Sequence, residues 1–198
     1  IMSKRKSVFG WLAVLTVVAI FSFEYYLNHK EKAKVIENGK SYKTTTNNYF
    51  LPASTTSQIV HHKGYSLSYS EEHEQAEWVA YELKKSHLSN ANFKRPYFEI
   101  DKAVKTGAAH WYNYKKSGYD RGHLCPAADR KYSKSFFDET FLTSNISPQK
   151  HDFNAGIWNT LEQKVRYWAF RYDGVFVVTG GILSDNLPSI GEEEVSIP

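Results

Sequence analysis

The sequence predicts an α+β fold. Short apolar runs of strand type occupy residues 59–69, an apolar stripe of helical spacing runs from about Asn154 to Arg171, and a β-branched run, Val175–Thr179, follows it directly. No regular strand–helix–strand rhythm accompanies them, which separates this pattern from a doubly wound α/β chain.

Taken in order, Ile59-Val60 and Tyr65-Ser66-Leu67-Ser68-Tyr69 read as short strands. Residues 76–83 fit two periods. Ala76, Val79, Ala80 and Leu83 make a helical face, whereas Val79, Tyr81 and Leu83 alternate as in a strand. Pattern alone leaves both open. Farther on, Ile157, Leu161, Val165 and Trp168 recur at helical spacing, with Asn154 placed as an N-cap. Asp173-Gly174 then turns the chain into Val175–Thr179, which reads as a central strand closed by Gly180-Gly181.

Composition supports one domain with a tail. The chain has 198 residues, 41% hydrophobic and 23% charged, which excludes a disordered polar chain, and 16% aromatics supply a core. A single cysteine, Cys125, excludes a disulfide framework and a Cys-rich zinc module. The net charge of +4 is unevenly spread: residues 1–34 hold six Lys/Arg and two Glu, and the remainder balances. Within that balanced body, Lys94–Lys134 carries ten bases against four acids, a local basic face suited to an anion.

Three segments are expected. Residues 1–27 read as a signal-anchor or transmembrane segment. Lys4-Arg5-Lys6 precedes 17 uncharged residues, Ser7–Phe23, and Tyr25 and Tyr26 sit where interfacial anchors belong. A cleaved signal peptide is the rival, but Ile20-Phe21-Ser22-Phe23 offers no small-residue cleavage pattern. The basic N-flank puts the body outside the cytoplasm, membrane-anchored in a periplasmic or extracellular setting, or secreted if the segment is cleaved. Residues 28–56 read as a polar linker, and 57–198 as the folded domain.

Chemistry concentrates in Gly118-Tyr119-Asp120-Arg121-Gly122-His123-Leu124-Cys125-Pro126 and in two stretches downstream, 143–149 and 153–162. His123 is a general base near neutral pH. Arg121, two residues away, shares its face if the stretch is extended, where it would bind phosphate and hold the imidazole neutral by repulsion. Asn154 offers a hard neutral oxygen suited to Mg²⁺ or Ca²⁺. Glu162 stands about 12 Å farther along an ideal helix, so a role through water suits it better than direct ligation. Bases and aromatics interleave at His110–Lys116 and Arg130–Tyr132, where stacking and charge could track a strand.

These residues resemble the DNA/RNA non-specific endonucleases, the Serratia nuclease and endonuclease G family with the ββα-metal (His-Me finger) fold. Asp120-Arg121-Gly122-His123 matches the family's DRGH motif. Asn145-Ile146-Ser147-Pro148-Gln149 and Asn154–Glu162 match its N-x-[ST]-P-Q and N-x-G-x-W-x-x-L-E elements. The resemblance covers about Leu51 to the end. It implies a central, mostly antiparallel sheet flanked by helices, and favours a strand over about Trp78–Leu83. It implies His123 as general base, Asn154 as ligand of Mg²⁺ (with Mn²⁺ or Ca²⁺ as substitutes) and Glu162 holding a water on the ion. Arg121 and Arg95 would bind phosphate, Arg95 also stabilising the transition-state charge, and Asn145 would help shape the site. Lys115, Lys116 and Arg130 are added as substrate contacts. The implied reaction is hydrolysis of DNA and RNA to 5′-phosphate products. A homodimer is common in the family. Relatives usually continue beyond a segment like Val195–Pro198 into further strands, so a domain short of those strands is expected. A non-catalytic, membrane-anchored nucleic-acid-binding module is the alternative reading.

Overall fold

Two neighbouring strands decide how the sheet is built. β3 (Gln75–Lys84) pairs antiparallel with β2 (Ser66–Ser70) on one side and with β6 (Gly174–Thr179) on the other, and β1 (Ile59–His61) extends the sheet beyond β2. The order is β1-β2-β3-β6, antiparallel throughout. Two small ladders complete the strands: β4 (Asp120–His123) with β5 (Ile146–Gln149), and β7 (Ser189–Ile190) with β8 (Val195–Ser196). This is a computed structural model that describes residues 18–20, 22, 23, 26 and 50–198. The expected anchor at 1–27 and linker at 28–56 therefore fall largely outside the described residues. Phe50–Pro198 forms one compact unit.

Residues 76–83 are strand, as the resemblance favours, and the reason for their double period is now plain. β3 is buried on both faces. Val79, Tyr81 and Leu83 pack with Leu67 and Tyr69 in the main core, while Ala80 and Trp78 are covered on the other side, where the Trp78 indole donates to the Ala53 carbonyl at 3.1 Å. A strand sandwiched this way loses its polar alternation. Each large side chain so buried contributes roughly 1.5–3 kcal/mol.

Two expectations about the C-terminal half are corrected. Val175–Thr179 is a strand, but among the described residues it is the sheet's edge rather than its centre. Val175 and Val177 pack on the core, while Phe176 and Val178 stay about half exposed. The helix is present but does not start at Asn154. Its first turn begins at His151, the Asn154 amide already donates to the Lys150 carbonyl at 2.8 Å, and Asn154 is therefore no cap. A widened π-type segment, Phe153–Trp158, kinked at Gly156, leads into the long α-helix Asn159–Tyr172. The helix turns Val165 and Ala169 to the core. Ile157, Leu161 and Trp168 of the expected buried stripe are exposed.

Candidate active site

The β4–β5 ladder sets the first two functional side chains. In an extended strand alternate residues share a face, and both Arg121 and His123 line one cleft of about 410 Å³. Between them Gly122 lies opposite Ser147, and a methyl added there would overlap the Gln149 side chain. The glycine of this motif thus leaves room for the Gln149 side chain. Gly122→Ala is expected to cost about 1–3 kcal/mol by overpacking, read as a lower urea midpoint with unchanged slope; an unchanged midpoint would contradict this packing.

Arginines and aromatic rings alternate around His123. The Arg121 guanidinium lies 5.1 Å from the Phe98 ring centre, Phe98 is 5.6 Å from the His123 ring, and Phe141 meets His123 edge-on at 5.1 Å. Arg95 completes the row, 5.3 Å from Phe141. The Trp158 indole donates to the His123 carbonyl at 3.3 Å, tying the strand end to the helix. Burial, with Arg95 adding repulsion, pulls the His123 pKa down to about 3, so the ring is neutral across the physiological range. Its Nε2 is buried without a protein partner.

This shift carries a stability prediction. The unfolded chain takes up a proton on this imidazole below about pH 6.5 and the folded chain does not until about pH 3. The neutral buried ring therefore contributes stability above pH 6.5 that is lost as pH falls through that window. Between pH 7 and 5, wild type is expected to lose about 2 kcal/mol more than His123→Asn. Urea titrations of both proteins at the two pH values check this, and equal losses would refute the buried neutral ring.

Asn154 and Glu162 reach the same cleft from the helix side. The Asn154 amide nitrogen donates to Asp120 Oδ2 at 2.9 Å, and His151 Nδ1 meets the same oxygen at 2.9 Å. Asp120 thereby fixes the Asn154 amide and leaves its carbonyl oxygen for a cation; the Asn154 bond also helps hold the Asp120 carboxyl below its usual range. Burial pushes Glu162 up to about 7, opposed by Arg166. Arg166 is itself anchored on Asp129 at 2.8 Å, and Asp129 accepts from the Tyr81 hydroxyl at 2.9 Å. Among the described residues no cluster of three His, Cys, Asp or Glu forms a metal cage. The donor set, one neutral amide oxygen with a carboxylate close by, still fits a hydrated Mg²⁺, which keeps most of its waters.

Of the expected site residues, Arg95, Arg121, His123, Asn154 and Glu162 meet in this cleft. Four do not. Asn145 is fully buried and clamps the backbone beyond His123: its Oδ1 accepts from the Cys125 amide at 2.8 Å, and its Nδ2 donates to the Cys125 and Thr140 carbonyls. It braces the backbone and does not line the cleft. Lys115 and Lys116 line a separate cleft with His110 and Tyr112, opposite Glu192 and Glu193. Arg130 is 1% exposed and lines a third cavity. Cys125 is a packing residue, its thiol pushed up to about 12 by burial. Lys131, from the basic aromatic stretch Arg130–Tyr132, does line the cleft, whereas the Tyr81–Asp129–Arg166 relay escaped the sequence reading. Only the helical spacing of Glu162 and Arg166 could have signalled the relay.

A family model described as DNA/RNA non-specific endonuclease matches residues 43–198. The chain belongs to this family. It is 39% identical over 132 residues to "Nuclease EXOG, mitochondrial" of Danio rerio, a match covering 66% of this chain and 38% of the relative. To "Endonuclease G, mitochondrial" of Homo sapiens it is 32% identical over 149 residues, 74% of this chain and 50% of the relative. To "Nuclease" of Nostoc sp. it is 36% identical over 121 residues, 59% and 43%. The chain thus spans half or less of the length of these relatives. A solved structure, the EndoG/EndoGI complex, matches with a TM-score of 0.67 at 29% identity, covering 75% of this chain and 66% of that one. The mixed fold with an antiparallel sheet is the one this endonuclease family member shares with EndoG. The expected extracytoplasmic location, anchored or secreted, is corrected. The EXOG and endonuclease G relatives are mitochondrial nucleases by name, and among the described residues no helix is long and apolar enough to cross a membrane.

Proposed function

We propose that this endonuclease family member hydrolyses phosphodiester bonds of DNA and RNA with weak sequence preference, depends on Mg²⁺ and leaves 5′-phosphate ends. One observation carries the reading: a single cleft brings together Arg95, Arg121, His123, Asn154 and Glu162. Arg121 and Arg95 grip the phosphate oxygens from either side of the imidazole, Arg121 offering a bidentate fork and Arg95 charge for the crowded transition state. His123, held neutral and flanked by Phe98 and Phe141, takes the proton of the attacking water. Asn154, aimed by Asp120, would hold the ion, with Glu162 placed to accept from its hydration shell. When bound, Mg²⁺ supplies Lewis acidity for the charge developing on phosphate and leaving oxygen.

Because contacts to phosphate dominate, cleavage should show little sequence preference and fall steeply with salt. The ends decide the chemistry. Products of plasmid cleavage with Mg²⁺ are expected to religate without kinase treatment, as 5′-phosphate, 3′-hydroxyl ends do. A requirement for kinase would contradict the assigned direction of attack.

A further inference from the structure

Lys131 forms part of one wall of the catalytic cleft, and rings and charges continue outward from it. Ala127 and Ala128 line the same wall. The next residue, Tyr132, turns away from the cleft. Its ring meets Phe136 at 5.1 Å, tilted, and is stacked on His87 at 4.2 Å with 19° between the planes. His87 is only partly buried. Its imidazole has Tyr132 on one face and, among the described residues, no ring on the other. The Lys84 amide donates to His87 Nδ1 at 3.2 Å and fixes the ring. Burial, and then the charges of Arg130 and Lys84, lower the His87 pKa, so the ring is a neutral stacking face near pH 7.

Cations flank these rings. Lys85 lies in the same 3-10 turn as His87 and holds its Nζ 4.6 Å from the centre of the Phe170 ring, itself 56% exposed. Lys63, Lys84 and Lys134 are matched by Glu139, Glu82 and Asp138. Lys85 and Lys131 have no ion pair among the described residues. The buried Arg130 is spent on the carbonyls of Asp129 and Glu82 and on the Tyr81 ring. It offers nothing to a ligand, but its charge adds to the positive field at His87. Unpaired cations interleaved with exposed rings are the means by which proteins follow a single strand, with charge for the backbone and ring faces for the bases.

We propose that a nucleic-acid strand held in the catalytic cleft continues over Lys131 onto His87 and Lys85, the lysines meeting phosphates and His87 stacking on a base beyond the scissile site. The track deepens the proposed function and rests on it for its starting point, the cleft. It also specifies the preferred substrate. A single strand long enough to pass beyond the cleft gains a base stack that the paired bases of a duplex withhold.

Fluorescence anisotropy of uncleavable phosphorothioate oligonucleotides with the full chain in EDTA, across a KCl series, tests it without turnover. The probes are a single strand of about 20 nucleotides, the same strand in a duplex, and a trinucleotide. Lys85→Gln and Lys131→Gln should each flatten the log–log salt slope of long single-strand binding by about 0.7. His87→Ala should weaken that binding about five- to a hundredfold at unchanged slope, and His87→Phe should restore it. The trinucleotide should bind Lys85→Gln and His87→Ala within about twofold of wild type, and the duplex should bind His87→Ala within about twofold. Lys164 also sits over a ring, Tyr167 at 4.9 Å, but lines a different cleft, so Lys164→Gln should keep the wild-type slope. The track is overturned by absent wild-type binding of the long strand, by wild-type affinity in His87→Ala, or by slopes kept in both lysine variants. Equal losses on trinucleotide and long strand, or an equal loss of slope in Lys164→Gln, overturn it too. Plasmid cleavage with Mg²⁺ is scored separately. A wild type that never cleaves but shows these binding differences ends the nuclease reading and leaves the track standing; cleavage with unaltered binding in the variants does the reverse.

Discussion

His123→Ala is expected to lower Mg²⁺-dependent cleavage by about a hundred- to ten-thousandfold, the usual worth of a positioned general base. Folding should survive, because the substitution removes a buried ring with an unpartnered nitrogen. Only one other group in the cleft could take a proton near neutrality, Glu162, whose pKa stands at about 7. The two candidates separate by rescue and by the cost of each substitution, since protonation of Glu162 near pH 7 would lower activity in either scheme. With His123 as base, added imidazole should restore part of the His123→Ala rate. With Glu162 as base, imidazole would restore nothing and Glu162→Gln would cost as much as His123→Ala.

The second large effect belongs to Asn154. Asn154→Ala is expected to remove the protein oxygen that holds the ion, with a loss of rate comparable to His123→Ala at low Mg²⁺ and partial recovery at high Mg²⁺. Asp120→Ala leaves the ligand in place but removes the acceptor that fixes its amide, and should raise the Mg²⁺ half-saturation by about 10–100-fold, as outer partners of metal ligands do. Binding of Mn²⁺, followed by its paramagnetic resonance signal in the absence of nucleic acid, reads the same order independently of turnover. Wild-type Mn²⁺ binding in Asn154→Ala would exclude the residue as a ligand.

Residues whose placement follows from local pattern were readable from the sequence. Arg121 and His123 stand two apart in a strand, so their shared face follows from the pleat, and Gly122 between them leaves room for the Gln149 side chain. Glu162 lines the same cleft as Asn154 even though ideal helix geometry sets it far away; the π-type segment and the Gly156 kink intervene between them. Charge alone did not tell that Arg130, Lys115 and Lys116 lie outside the cleft of His123. All three lie in a basic, irregular stretch, where no period tells which way a side chain points, and one of them is buried. The Ile157–Leu161–Trp168 stripe has sound helical spacing, but spacing identifies a face without saying what covers it. Asp129 and Arg166 are 37 positions apart, and only the packed fold brings them together.

The central claim is that one cleft of this endonuclease family member carries both the base and the metal dependence. Relaxation of supercoiled plasmid by the full chain tests it most directly, run with Mg²⁺, with EDTA, and with His123→Ala under Mg²⁺. The geometry predicts nicking and linearisation in the first case and none above background in the other two, with all proteins melting cooperatively. Cleavage by His123→Ala at the wild-type rate, or by wild type in EDTA, would contradict it. DNA binding by a well-folded wild type that never turns over would instead establish the binding-module reading.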